Sequence, residues 1–445
     1  MKSKRLLTIG AFAAALGLVP LALALGVAEA RVSRSDLALF AGVVELVQQH
    51  YVKPVGTGEL TKDALKGMLT RLDPHSDFMD EREFKESEAD LSGEFGGLGI
   101  EITEQGGIPK VISPIDGTPA AEAGIQPGDM IAAIDGASTQ GVSLTKIVRT
   151  LRGKPGTDVT LTLVRSTKKT IKVTVTRRVI HVQSVKSKLE PESVGYVRIT
   201  QFGETTPADV RNALTNLKQQ SGGDLKGLVL DLRDDPGGLL SAAVDVTGDF
   251  VSGGTVVTIR GRDADDDRTF NAPVNATLLP QQTPIVVLIN GASASASEIV
   301  AGALQDRKRA TVMGTQSFGK GSVQTIIPLN GHGAVRLTTA LYYTPSGRSI
   351  QGKGITPNET VEVPKDQQIA GGFMLRESQL QGAFHTPRAL GKQPPQEKEG
   401  APGATAKTES APIKIDLIGT EQDAQLKAAL AYLRRSGGAT TGTKP

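Results

Sequence analysis

The segment PIVVLINGASASASEIVAGALQD, residues 284–306, decides how the larger part of this chain is built. It opens on a continuous aliphatic run, the pattern of a buried strand. A Gly/Ser/Ala turn follows, and then a helical stretch over 297–305. A junction of this kind presents a side chain at a helix N-terminus. Ser295 and Glu298 stand at the S-x-x-E spacing of a capping box, so Ser295 reads as a helix cap. It reads equally as a nucleophile, because the Ala296 N–H could point toward a developing oxyanion and the helix dipole favours negative charge there. Serines at 293, 295 and 297 alternate, and spacing alone does not choose between them.

Outward from this segment, between 195 and about 363, strands at 227–232 and 285–289 alternate with helical stretches at 207–219 and 297–305, as in an α/β core. Pro207 suits the first position of its helix, where no backbone N–H is needed. From 96 to about 178 the pattern changes to short strands with Gly/Pro turns, clearest at 159–164 and 170–175. Between 36 and 84, Leu39, Val43, Leu46 and Val47, then Leu65, Met68, Leu69 and Leu72, recur at helical spacing, interrupted at Pro54 and Pro74. Beyond Pro364 the chain is rich in Gln, Pro, Gly and Lys, 392–408 has linker composition, and an amphipathic helix over 420–435 is expected to dock back on the core. The expected organisation is multidomain α/β. It comprises a signal peptide over 1–30, a helical region over 31–92, a β-rich domain over 93–178, an α/β core over 179–364, a flexible linker over 365–412 and a C-terminal helix and tail over 413–445.

Lys2, Lys4 and Arg5 precede an apolar run from Leu6 to Val27, and Ala28-Glu29-Ala30 fits a small-x-small cleavage site. The chain is therefore expected to be exported, periplasmic or secreted. An uncleaved anchor is the alternative, since the run approaches the ~20 residues that span a bilayer; Pro20 and the Ala-Glu-Ala site favour cleavage. Membrane association is expected only through an uncleaved signal. With 50 Lys+Arg against 47 Asp+Glu, a net charge of +3 and no basic block, the chain lacks the electrostatic footprint of a nucleic-acid binder. It has no cysteine, which excludes a disulfide framework, a thiol nucleophile and a thiolate metal site.

A serine nucleophile needs a base. Neither G-x-S-x-G nor H-E-x-x-H occurs, and none of His50, His75, His181, His332 and His385 lies in such a context. His332, downstream of the serines, could complete a triad, but its Gly-rich turn argues for a loop tip. Lys320 is the better base: it lies between glycines in a segment with no other charge, where burial can neutralise it. Gly314-x-x-x-x-Gly319-Lys320 narrowly misses a P-loop, because Gly321 replaces the required Ser/Thr. Ser166-Thr167-Lys168-Lys169 matches S-x-x-K, but no Lys-Thr-Gly or Ser-Asp-Asn follows.

Gly97-Leu98-Gly99-Ile100, then Gly117-Thr118-Pro119-Ala120-Ala121, Ala123-Gly124-Ile125, Pro127-Gly128-Asp129 and Ile134-Asp135-Gly136, resemble a PDZ domain in sequence order. The resemblance places Gly97, Leu98, Gly99 and Ile100 in a loop whose N–H groups hold a peptide carboxylate, with Leu98 and Ile100 flanking the groove. LDPHS (72–76), DLRDDPGG (231–238), NGASASASEI (290–299), GKGSVQ (319–324) and YYTPSGRSI (342–350) are similar to the carboxy-terminal processing peptidases. That family implies a peptidase core of crotonase-like type, with Ser295 as nucleophile, Lys320 as general base and Gln324 positioning the lysine. Ala296 with Gly237 or Gly238 would form the oxyanion hole, and Arg152, closing the last PDZ helix, would couple the domains. Asp306 falls at a family position of structural or orienting role. Asp234-Asp235 departs from the family, which has Asn-Asn or Arg-Asn before Pro-Gly-Gly. The implied enzyme needs no metal or cofactor, and its partners are proteins or peptides with free C-termini, with an adaptor or homo-oligomer in addition. The competing reading is a catalytically silent PDZ-bearing scaffold or adaptor of the cell envelope.

Overall fold

A computed structural model describes residues 32–383 and 411–438, apart from 116, 166–168, 182, 276, 370, 371 and 373. The expected signal peptide, the 392–408 linker, the last seven residues and three of the four S-x-x-K residues lie outside the described residues. The chain divides into two compact units, one up to Thr61 and the other from Lys62 onward. In the first, the helix Arg34–His50 begins where the Ser33 hydroxyl accepts the Asp36 N–H at 3.0 Å. This helix buries none of its residues.

In the second unit, the decisive segment folds as the strand Ile285–Ile289 followed by the helix Ala296–Asp306. The strand lies inside a six-stranded sheet ordered Val185–Glu190, Val194–Ile199, Gly227–Asp231, Ile285–Ile289, Thr311–Gly314 and Glu359–Thr360. Only the first pair is antiparallel. Leu228, Leu230, Ile285, Val287 and Ile289 pack with Leu214 and Leu217 of the helix Thr206–Ser221 and Val300 and Leu304 of Ala296–Asp306. The alternate residues Val229, Val286 and Leu288 pack with Leu426, Ala429 and Leu433 of the helix Ala424–Gly438. Both faces are covered, which is why the strands read as unbroken apolar runs. The last helix thus docks on the core, with about 1.5–3 kcal/mol for each buried leucine. The helix at Thr206 starts one residue earlier than expected, after Thr205, so Pro207 is its second residue. Its missing N–H costs nothing there, because first-turn N–H groups have no intrahelical partner.

A second, antiparallel sheet joins Asp77–Met79, Ala334–Tyr343, Thr255–Arg260 and Arg268–Asn271, with Ser322–Pro328 also on Ala334–Tyr343. The region expected to be helical therefore contributes a strand, paired Phe78 to Val335. The β-rich domain closes around Leu98, Val111, Ile131, Leu161 and Leu163, with Ile147 and Leu151 of the helix Leu144–Leu151. At its boundary, Arg178–His181 pairs with Glu94–Gly97 in a separate two-stranded sheet. The described residues of the stretch 365–383 are not the free linker expected from their composition. Gln368 bridges to Ile413, and Glu377 is fully buried. Its partners come from distant parts of the chain, and composition does not register them.

Candidate active site

Two loops leave the C-terminal ends of neighbouring parallel strands, the usual place for a site in such sheets. One runs from Arg233 to Gly238, the other from Asn290 to Ser295, and polar contacts lace them together. Asp234 N–H donates to Asn290 Oδ1 at 3.1 Å, Asn290 Nδ2 donates to Asp234 Oδ1 at 2.8 Å, and Ala294 N–H donates to the Asp235 carbonyl at 3.0 Å. The Ser293 hydroxyl donates to the Leu232 carbonyl at 2.7 Å and Ser297 to the Asp235 carbonyl at 3.0 Å. Both serines are fully buried and serve the loops. Ser295 is 8% exposed, and its hydroxyl is donated to no carbonyl among the described residues. Its backbone, at φ 54 and ψ −111, occupies a region that costs a non-glycine residue of order 1–3 kcal/mol.

The Glu298 carboxylate, fully buried one turn into the helix, organises the rest. Its Oε2 accepts the N–H of Ser295 at 2.8 Å and of Lys320 at 2.9 Å. Its Oε1 accepts the Gly319 N–H at 2.7 Å and the Ser317 hydroxyl at 2.5 Å. The S-x-x-E pattern therefore ties the serine turn to the lysine turn. Burial pushes Glu298 up to about 7, against the pull of these donors. Burial likewise lowers the Lys320 ammonium from its ordinary value, while Glu377, Glu298 and Asp73 act to raise it and Arg336 to lower it.

Residues 193–361 match the model of peptidase family S41, and residues 110–165 match that of the PDZ domain. Over 350 residues the chain is 49% identical to a carboxy-terminal-processing protease of Bartonella bacilliformis, an alignment that covers 78% of this chain and 80% of that protein. This chain belongs to the carboxy-terminal-processing proteases. A Staphylococcus aureus protein named "Probable CtpA-like serine protease" is 37% identical over 76% of this chain and 67% of its own. A solved structure, the photosystem II D1 C-terminal processing protease, is 31% identical, covers 74% of this chain and 94% of its own, and has a TM-score of 0.43.

Several residues of this processing protease were not signalled as site residues in its sequence. The Tyr342 phenol, raised by burial to about 12, lies beside the Ser295 side chain. Glu377 accepts from Gln351 Nε2 at 2.9 Å and pairs with His75 Nε2 at 2.8 Å, while Gln351 Oε1 accepts the Gly321 N–H at 2.9 Å. The LDPHS block thus reaches the lysine turn through His75, and Asp73 accepts the Thr338 hydroxyl at 2.9 Å. Gln324 donates to Ser322 Oγ at 2.9 Å and Thr338 Oγ1 at 3.3 Å, and has no hydrogen bond to Lys320 among the described residues. Asp306 anchors the TPSGRS turn, accepting the Ser346 N–H at 3.0 Å and Arg348 at 2.5 Å. His332 sits on an exposed turn, its N–H bonded to the Leu329 carbonyl at 2.7 Å.

Of the backbone donors, Gly237 N–H is taken by Asp235 Oδ1 at 2.8 Å. The N–H groups of Gly238 and Ala296 meet no acceptor among the described residues. In the PDZ domain the same holds for Leu98 and Gly99, but the Leu98 side chain is buried in the domain core. At 2% exposure it is not open to a groove, whereas Ile100 is half-buried. Arg152 pairs with Asp90 at 3.1 Å, and its guanidinium stands 4.3 Å over the Phe95 ring. Among the described residues no group of three or more His, Asp or Glu is placed to hold a metal ion, and no helix is long and apolar enough to cross a membrane.

Proposed function

We propose that the protease works by acyl transfer, with Ser295 as nucleophile and Lys320 as general base. The observation that supports this is the shared Glu298 carboxylate, which accepts the backbone N–H of Ser295, in its strained turn, and that of the half-buried Lys320. Neutral Lys320 takes the Ser295 proton as the oxygen attacks the scissile carbonyl. Gly238 and Ala296 N–H groups receive the oxyanion, Gly237 being engaged. Lys320 returns the proton to the leaving amine, and water then hydrolyses the acyl-enzyme. Gln324 acts on the lysine indirectly, through the Ser322 and Thr338 hydroxyls.

The substrates are proteins or peptides with free C-termini, read by the 97–100 loop with an apolar terminal residue against Ile100. Arg152 couples this event to the core through Asp90, whose carbonyl accepts from Gln201 at 3.1 Å; the adjoining Phe202 N–H donates to the Gly237 carbonyl at 2.9 Å. The basic and apolar N-terminus supports export, with assembly as a homo-oligomer or with an adaptor. The test compares the whole chain with its Ser295→Ala variant on an unfolded protein. It also measures binding of two peptides, free and amidated at the same apolar end, to the Ser295→Ala chain. Turnover should vanish with Ser295, and the amide should bind several-fold more weakly, on the order of 1–3 kcal/mol. Undiminished turnover by Ser295→Ala would remove Ser295 as nucleophile, absence of turnover by the native chain would leave a scaffold, and equal binding would mean that the loop does not read the terminus.

A further inference from the structure

The acyl-transfer reading assigns no task to the carboxyl of Asp235, which stands beside the oxyanion donors. This side chain is fully buried. Its main-chain carbonyl accepts from the Ala294 N–H and the Ser297 hydroxyl, each at 3.0 Å, so the residue is pinned to the Ser295 turn from both sides. Oδ1 accepts the Gly237 N–H at 2.8 Å, whereas Oδ2, equally buried, has no partner among the described residues. The Ser297 hydroxyl and Arg198 favour the ionised form, but an ionised carboxylate would still leave charge on a buried oxygen with no hydrogen bond among the described residues. A protonated carboxyl accepts through Oδ1 and carries its proton on Oδ2.

Gly237 leaves no space for adjustment. A Cβ there would lie 2.6 Å from the Ala294 carbonyl oxygen, 2.8 Å from Ala296 N and 2.9 Å from Ser295 Cβ. Its peptide rests directly on the nucleophile turn, and the bond to Asp235 sets its orientation. The charges around Asp235 divide. Arg198, from the strand Val194–Ile199, favours ionisation, and Asp231, from Gly227–Asp231, opposes it. Asp234 is turned to Asn290, Arg233 to Asp231 and Asp423, and Glu298 to the serine and lysine turns. Burial outweighs them and pushes the Asp235 carboxyl up to about 8.

We propose that Asp235 is a positioning residue of the oxyanion site that acts as a neutral acid, holding the Gly237 N–H so that Gly238 and Ala296 are left to receive the oxyanion. Loss of its proton sets a negative charge beside the developing oxyanion, so turnover falls on the alkaline side. The inference rests on Ser295 being the nucleophile.

The experiment measures pH–rate profiles of the whole chain, Asp235→Asn and Asp235→Ala on one unfolded protein, with fluorophosphonate labelling of Ser295 in parallel. Asparagine keeps the acceptor for Gly237 and cannot ionise. The alkaline fall should therefore disappear in Asp235→Asn. The alanine variant should lose about 10- to 100-fold in kcat with little change in KM, and asparagine should recover most of that loss. The infrared difference between the native chain and Asp235→Asn at neutral pH should show a protonated carboxyl. An unchanged alkaline fall in Asp235→Asn, the absence of that carboxyl band, or native turnover by Asp235→Ala would overturn the proposal. If the alanine variant fails to fold, the asparagine profile and the infrared band still decide. Failure of the underlying reading looks different: Ser295→Ala would stay active and Ser295 would not label, and the inference would fall with it.

Discussion

Ser295 and Lys320 are aligned by one atom, because both backbone N–H groups donate to Glu298 Oε2, at 2.8 and 2.9 Å. Four donors converge on this carboxylate, and a carboxamide or a protonated acid can satisfy only part of them. Glu298→Gln should lower kcat on the order of 10- to 100-fold, since each unsatisfied buried donor costs about 1–3 kcal/mol. The pH dependence has opposite signs for activity and stability. Burial raises this carboxyl from 4.5 to about 7, so activity should rise through about 7 as the acceptor is restored. The stability it contributes is fully present below 4.5 and is lost as pH rises through about 7. Thermal melts and rates across that window check both, and rates that do not respond to Glu298→Gln would detach the carboxylate from catalysis.

Lys320 must be uncharged to act as a base. Burial lowers its pKa, so the neutral fraction and the rate rise with pH. Lys320→Arg should abolish turnover, because a guanidinium stays protonated at any working pH. A cooperative melt would show that the variant folds. An active arginine variant, or a flat acid limb in the native chain, would remove the lysine from the mechanism.

Glu377 is the leading charge that raises the Lys320 pKa. Glu377→Gln removes this negative charge while retaining an acceptor for Gln351 and His75. The acid limb of the rate profile should therefore move to lower pH. A shift in the other direction would mean that Glu377 acts by shaping the lysine turn rather than through its charge.

Arg152 lies over Phe95 and against Asp90, at the junction of the PDZ domain with the helix Glu81–Ser92. An exposed ion pair contributes only about 0.2–1 kcal/mol, so its loss should spare the fold. Arg152→Ala should weaken the acceleration given by a free-carboxylate peptide, and Asp90→Ala should add nothing further in the double variant. Additive effects in that cycle would separate Arg152 from the Asp90 route.

Arg233, Asp231 and Asp423 form a fully buried cluster that fastens the segment before the last helix to the active-site strand. Asp423→Ala leaves the Arg233 charge short of a partner and should cost about 3–5 kcal/mol in chemical unfolding. A loss below about 1 kcal/mol would show that the C-terminal helix is held by Leu426 and Leu433 alone.

The sequence by itself determined the main elements of the core and their order, though not the strand Asp77–Met79. Apolar runs such as Ile285–Ile289, glycine turns and the helix that follows are local patterns, set by burial and backbone chemistry within a few residues. It also marked Ser295 and Lys320, through ordered motifs. Tertiary structure alone decided what those residues meet. The alternating serines are equivalent in spacing, but Ser293 and Ser297 are taken by the carbonyls of Leu232 and Asp235, far earlier in the chain. Glu298 reads as a cap partner until Lys320 arrives from another turn. Glu377 and His75 lie in stretches with the composition of a linker and of a helical region, and their pairing depends on long-range packing that no local pattern records. The Gly237 N–H was equally available as an oxyanion donor in the sequence, and only the folded loop shows Asp235 holding it, because hydrogen bonds are assigned by distance in space.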